Sequence, residues 1–124
     1  MNSDSVRLRV PAEASYARVV RMTASNLAVL CEMDVDDVED VRMAAEEGFV
    51  YACATAPSAC DVTFELSAGE VRMGFTLGDA DVEEEGSADI DLIELLLSAV
   101  CDDYGVSEDG TELAIVKKVS THVR

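Results

Sequence analysis

Val62, Phe64 and Leu66, then Val71, Met73, Phe75 and Leu77, stand at every second position of two runs joined across residues 67–69. Successive strand side chains point to opposite faces, so this spacing predicts a β-hairpin with one apolar face and one polar face. An apolar sheet face is stable only under a second layer, and the chain must supply that layer from the segments flanking the hairpin.

Those segments carry a helical period. Over residues 13–33, Tyr16, Val19/Val20, Thr23, Leu27 and Leu30/Cys31 recur at helical spacing, predicting a first helix of roughly five turns. Asp34 or Asp36 can cap a second helix, because a carboxylate there accepts from free amides at the positive end of the helix dipole. Val38, Val41, Ala45, Phe49 and Ala52 form its expected buried face, and Pro57 lies beyond its end. Residues 90–101 are apolar nearly all round and predict a helix buried against the sheet. Val6, Leu8 and Val10 alternate with Ser5, Arg7 and Arg9 in a short strand that Pro11 ends. Residues 104–106 and 113–119 read as a second antiparallel pair, with Lys117 and Lys118 closing the last strand, and the acidic, glycine-containing stretch 78–89 reads as a mobile surface loop. The order β-α-α-β-β-α-β-β, without repeat or linker, predicts one domain over residues 1–124. Its class is α+β, a two-layer sandwich with a mixed or antiparallel sheet and three helices on one face.

Composition narrows the function. Nearly half of the 124 residues are apolar, so the chain can close a core despite a net charge of -17. The balance of 26 acidic against 9 basic residues repels phosphate backbones and anionic lipid, which argues against nucleic-acid and membrane partners. It leaves room for a basic protein partner and also serves solubility. Cys31, Cys53, Cys60 and Cys101 form no C-x-x-C pair, and the only histidine is His122, so no zinc site is expected. Three of the cysteines sit among apolar neighbours and read as buried thiols of a reduced protein. With no apolar leader at the start and no run long enough to span a bilayer, the expected location is cytoplasmic.

The most specific string is Asp37-Val38-Glu39-Asp40-Val41-Arg42-Met43-Ala44-Ala45-Glu46-Glu47-Gly48-Phe49-Val50-Tyr51-Ala52. It resembles the corresponding helix of the bacterial anti-sigma-factor serine kinases, a branch of the GHKL (histidine-kinase-like) ATPases, in which an acidic start and a basic residue precede Glu-x-x-x-Asn. The likeness runs in order from Val10-Pro11-Ala12 to Gly110-Thr111-Glu112-Leu113, and it implies the Bergerat fold of that superfamily. In the family the glutamate is the general base toward the attacking hydroxyl, and the asparagine one turn later holds the magnesium that bridges the ATP phosphates. Glu47 stands at the base position. Tyr51 stands at the asparagine position, where a protonated phenol offers no amide oxygen, so no metal site is implied there.

The family's Asp-x-Gly-x-Gly motif, whose aspartate accepts from the adenine amino group, corresponds to Asp79-Ala80-Asp81-Val82-Glu83. Asp79 is retained and the glycines are replaced by acidic residues. A unit charge there would repel a phosphate charge 4 Å away by roughly 4 kcal/mol at the effective dielectric of a protein surface. The Gly-x-Gly that cradles phosphates corresponds to Asp91 and Ile93, with no glycine between Gly86 and Gly105. Gly110 and Thr111 match the adenine-side end of the family, although Thr111 reads equally as an ordinary turn residue. Glu47 likewise has an ordinary alternative, a solvated helix charge, and Glu83-Glu84-Glu85 reads as a solvated loop.

The resemblance implies a regulator of transcription that works by partner switching. It would bind a sigma factor, a STAS-domain anti-anti-sigma factor or both, with a homodimer formed through the sheet also among its implications. Three altered motifs on an intact scaffold point to weak or lost ATP binding and no required cofactor. The alternatives are an active ATP- and magnesium-dependent serine/threonine kinase acting on a STAS-domain antagonist, and a small acidic ligand-sensing or scaffold domain.

Overall fold

The computed structural model describes residues 4–80 and 90–120. The hairpin forms where the alternation places it: β2 (Cys60–Ser67) pairs with β3 (Glu70–Thr76) so that Val62 faces Phe75, Phe64 faces Met73 and Leu66 faces Val71. β1 (Asp4–Val10) adds to β2, while β4 (Asp103–Val106) and β5 (Glu112–Lys118) add beyond β3, giving the antiparallel order β1-β2-β3-β5-β4. The residues set in register on one face, Val62, Phe64, Val71, Met73, Phe75 and Ile115 among them, are buried. Each large side chain taken out of water there contributes about 1.5–3 kcal/mol.

α1 (Ala17–Leu30) follows a short 3₁₀ turn (Ala14–Tyr16), α2 (Val35–Ala54) runs back beside it, and α3 (Ile90–Val100) lies against α2 and the end of the sheet. This is the expected α+β two-layer sandwich. Of the two candidate caps, Asp34 does the work on α2, accepting the amide of Asp37 at 2.8 Å. Val41, Ala45, Phe49 and Ala52 are buried as their spacing predicts, and Val38 packs partly against the core.

Two expectations need correction. The first helix is shorter than residues 13–33, and its core face is Val20, Ala24 and Ala28, with Cys31 just beyond; Tyr16, Val19 and Leu30 are exposed. The periodicity allowed either member of the pairs Val19/Val20 and Leu30/Cys31, and the small alanines decide it, since they let α1 approach α2 closely. α3 is not buried all round: Ile93 and Leu97 are buried, but Leu92 and Leu95 are 50% and 65% exposed, because the helix packs mainly on α2 at the margin of the sheet. The acidic loop expected over 78–89 falls, from Asp81 on, outside the described residues, as does His122.

Two features hold α2 on the sheet. At Gly48 a methyl group would sit 2.7 Å from Phe75 Cε1 and 2.9 Å from Ile115 Cδ1, so the helix backbone rests directly on the core side chains of β3 and β5. At the start of α2, the buried carboxylate of Asp37 accepts from the amide and hydroxyl of Ser120, and Lys117 Nζ reaches Asp40 at 3.1 Å and Asp37 at 3.7 Å. Lys117 does not simply end the strand as a surface cation. It falls on the inward face with Leu113 and Ile115, and it is buried. Burial opposes its charge, but the hydrogen bond and charge of Asp40, followed by the charges of Asp37 and Asp102, outweigh that, and its pKa is raised. A raised lysine pKa stabilises the fold throughout the neutral range, and the contribution is lost only as the pH climbs through the alkaline region above the ordinary lysine value.

Gly48→Ala is therefore expected to destabilise the protein by about 1–3 kcal/mol through overpacking, read as a lower midpoint in urea with an unchanged slope. Lys117→Met should cost about 3 kcal/mol, because it leaves the Asp37 carboxylate buried without its counter-charge; a midpoint equal to that of the parent would show that the pair contributes nothing.

Candidate functional site

The second half of α2 places the two residues of the Glu-x-x-x-Asn-like string. Gly48 anchors the helix, so Glu47 and Tyr51, four residues apart, project from one side of it. Both are half-buried. The ring of Tyr51 does not stand free in solvent. It forms part of the wall of an open cleft of about 190 Å³, together with Ile93 and Leu97 of α3, Tyr104 and Val106 of β4, and Leu113 of β5. Tyr104 is fixed there by its hydroxyl, which donates to the Glu94 carbonyl at 3.3 Å. Among the described residues the lining contains no lysine or arginine, and its only charged side chain is Glu94.

Glu47 lies one turn before Tyr51 and does not line this cleft. Among the described residues it has no hydrogen-bond or ion-pair partner, whereas its neighbour Glu46 is held by Arg21 at 3.0 Å. Burial, and secondarily the charge of Glu46, raises the pKa of Glu47. A carboxyl in this setting is a stronger base than an ordinary surface glutamate, the property a proton acceptor needs.

The segment after β3 is built on a polar hub absent from the sequence reading. Thr55, buried just past the end of α2, donates its hydroxyl to the Ala52 carbonyl and accepts the Gly78 amide at 2.8 Å, while its own carbonyl accepts the Ala80 amide at 3.0 Å. A side chain at Gly78 would collide with the Thr55 carbonyl oxygen at 2.3 Å, so this approach admits glycine alone. Asp79 sits exposed between the two tethered residues. Asp81, Val82 and Glu83, and with them the remainder of the Asp-x-Gly-x-Gly counterpart and Glu84-Glu85, lie outside the described residues.

Gly110 and Thr111 occupy the exposed β4–β5 turn, in which the Gly110 amide donates to the Ser107 carbonyl at 2.9 Å. The Thr111 hydroxyl donates to Asp109 Oδ1 at 2.7 Å, and the Ser107 hydroxyl donates to the same oxygen. These bonds, that of Ser107 first and those of Thr111 next, lower the Asp109 pKa. The Thr111 carbonyl accepts the Leu77 amide at 2.8 Å, so the structure brings the Thr111 turn beside the strand that leads to Asp79. Neither Asp79 nor Thr111 lines the Tyr51 cleft. Of the residues matched to the phosphate-cradling glycines, Asp91 is exposed in the first turn of α3 and Ile93 is buried in the cleft wall.

The four thiols are free; Cys31 and Cys60 are buried, and desolvation pushes Cys53, Cys60 and Cys101 up to about 11. They remain protonated at neutral pH, which fits packing and not nucleophilic chemistry. No helix among the described residues is long and apolar enough to cross a membrane.

No protein-family model matches the chain. Among curated proteins it is similar to the serine-protein kinase RsbW of Oceanobacillus iheyensis, with 27% identity over 82 residues that cover 66% of this chain and 48% of that protein. It is similar also to the proteins of that name from Bacillus licheniformis, 32% identical over 72 residues (58% of this chain, 43% of the relative), and Bacillus subtilis, 33% identical over 55 residues (44% and 32%). The chain thus spans at most about half the length of these relatives. The likeness expected from the α2 string is present, as a distant one.

Because the pKa of Glu47 is raised in the folded state, its ionisation opposes folding once the pH exceeds the ordinary glutamate range. Glu47→Gln should therefore raise the melting temperature at pH 7, and the gap from the parent should close as the pH falls below that range. A Glu47→Gln protein less stable at pH 7 would mean that the carboxylate has a stabilising partner.

Proposed function

We propose that this chain is a non-catalytic regulatory protein of anti-sigma type, which binds a sigma factor, is released from it by a STAS-domain antagonist, and has lost productive use of ATP. The observation that supports this reading most is the wall of the Tyr51 cleft. In the family the side chain at this position holds the magnesium beneath the phosphates; here a phenol stands there among Ile93, Leu97 and Leu113, with no cation to meet a polyanion. Magnesium and ATP do not fit such a lining, since phosphate recognition draws on cationic side chains, free backbone amides or a held metal. Binding, by contrast, needs only the sandwich and its surface.

The expected result is that millimolar ATP with magnesium leaves the melting temperature unchanged, because a ligand that binds only the folded state must raise it. The chain should also retain a co-encoded sigma factor in a pull-down, and should release it to a co-encoded STAS protein. Transfer of the γ-phosphate to a serine of that STAS protein would refute the proposal.

A second reading, an active serine kinase, draws on the name of the relatives and on Glu47, whose shifted carboxyl suits a base. It requires nucleotide binding in the melting experiment and loss of phosphotransfer in Glu47→Gln.

A further inference from the structure

The Tyr51 cleft combines three properties that select what can enter it. It is small: its volume of about 190 Å³ falls below the roughly 300–1,000 Å³ of pockets that enclose a drug-sized molecule. Its inner wall is hydrocarbon, with Ile93 and Leu97 of α3 and Leu113 of β5 all buried. Two of the chain's three tyrosines, Tyr51 and Tyr104, complete that wall, and Tyr104 is held by the bond from its hydroxyl to the Glu94 carbonyl. Such a lining favours one ring or a short branched chain, which gains by leaving water.

The third property is charge. The Glu94 carboxylate, the one charged side chain of the lining among the described residues, is exposed and has no hydrogen-bond or ion-pair partner there. A carboxylate beside apolar and aromatic surface attracts a cation, and a tyrosine ring adds to the attraction because its face is the negative part of its quadrupole. An anion meets repulsion both from Glu94 and from a chain of net charge -17. A neutral apolar molecule gains from the walls and nothing from Glu94.

We propose that the cleft binds a small primary amine, its ammonium group at Glu94 and its single-ring or short branched hydrocarbon body beside Tyr51 and Tyr104, against Ile93, Leu97 and Leu113. Because Glu94 is exposed, the ammonium keeps part of its hydration and the desolvation penalty of a buried ion pair is avoided. A ligand with so few atoms binds in the micromolar to millimolar range. The site is independent of nucleotide chemistry. Phosphotransfer from ATP would refute the partner-binding reading and leave the amine site untouched, whereas a cleft that takes no amine would leave sigma-factor binding untouched.

The chain has no tryptophan, so tyrosine fluorescence reports on the cleft directly. Titration at pH 7 with cyclohexylmethylamine, which is optically silent, should give a saturable change and a raised melting temperature. Cyclohexylmethanol, which has the same body without the charge, should bind at least about tenfold more weakly, and cyclohexanecarboxylate should not bind. Glu94→Gln should melt as the parent does, lose about tenfold in affinity for the amine, and bind the alcohol as before. Val106→Lys, at the exposed rim, sets an ammonium of the chain's own beside the cleft and should abolish amine binding. The proposal is overturned if millimolar amine gives no saturable change, or if amine and alcohol bind equally. It is overturned also if Glu94→Gln keeps the full affinity for the amine, since that would be the general attraction of a cation to an acidic surface.

Discussion

The arrangement depends on how closely α2 can lie on the sheet. A helix normally stands off a sheet by the length of its side chains, but at Gly48 there is none, and Phe75 and Ile115 fill the space a methyl would take. Everything above the sheet is then referred to that contact. α1 and α3 both pack on α2. The depth of α2 in turn sets how far Glu47 and Tyr51 are withdrawn from solvent, and that withdrawal raises the Glu47 pKa and turns the Tyr51 ring into the wall of a cleft.

Apolar contact alone does not fix the helix along its own axis, and polar bonds at its two ends do. At the start, Asp34 caps the first turn while Asp37 and Asp40 engage Lys117 and Ser120 of the closing strand. At the far end, Thr55 ties the helix to Gly78 and Ala80. Buried polar groups are costly unless satisfied, and these are satisfied, so each end tolerates one register only. The same bonds carry order outward to the segment that bears Asp79.

The cleft beside Tyr51 bears on function through its chemistry. Its walls are isoleucine, leucine, valine and two tyrosines, a lining suited to apolar surface and not to phosphate. Under the proposed reading, α2 keeps its place in the sandwich while the groups that would handle a nucleotide are replaced, by Tyr51 and Ile93 in the cleft wall and by acidic residues at the other matched positions. Glu47 keeps a base-like setting because burial by the scaffold produces it, with or without a substrate to act on.

The hairpin, the central helix, an acidic cap at Asp34 or Asp36 and the layered α+β class were legible in the chain alone, because period and capping chemistry are local properties. The α2 string likewise resembles the anti-sigma-factor serine kinases, in keeping with the distant similarity to the serine-protein kinases RsbW. Lys117 was legible in principle: it shares the period-2 face of Leu113 and Ile115, so a strand reading already implied a buried cation in need of a partner. Thr55 and Gly78 gave no such signal, since their meeting joins the end of a helix to the end of a strand through space. Which side of α1 faces the core, how much of α3 stays in solvent, and whether Tyr51 turns inward were likewise decided by packing. Periodicity specifies that a face is apolar, but only the volumes of the neighbouring elements determine which side chains find room against it.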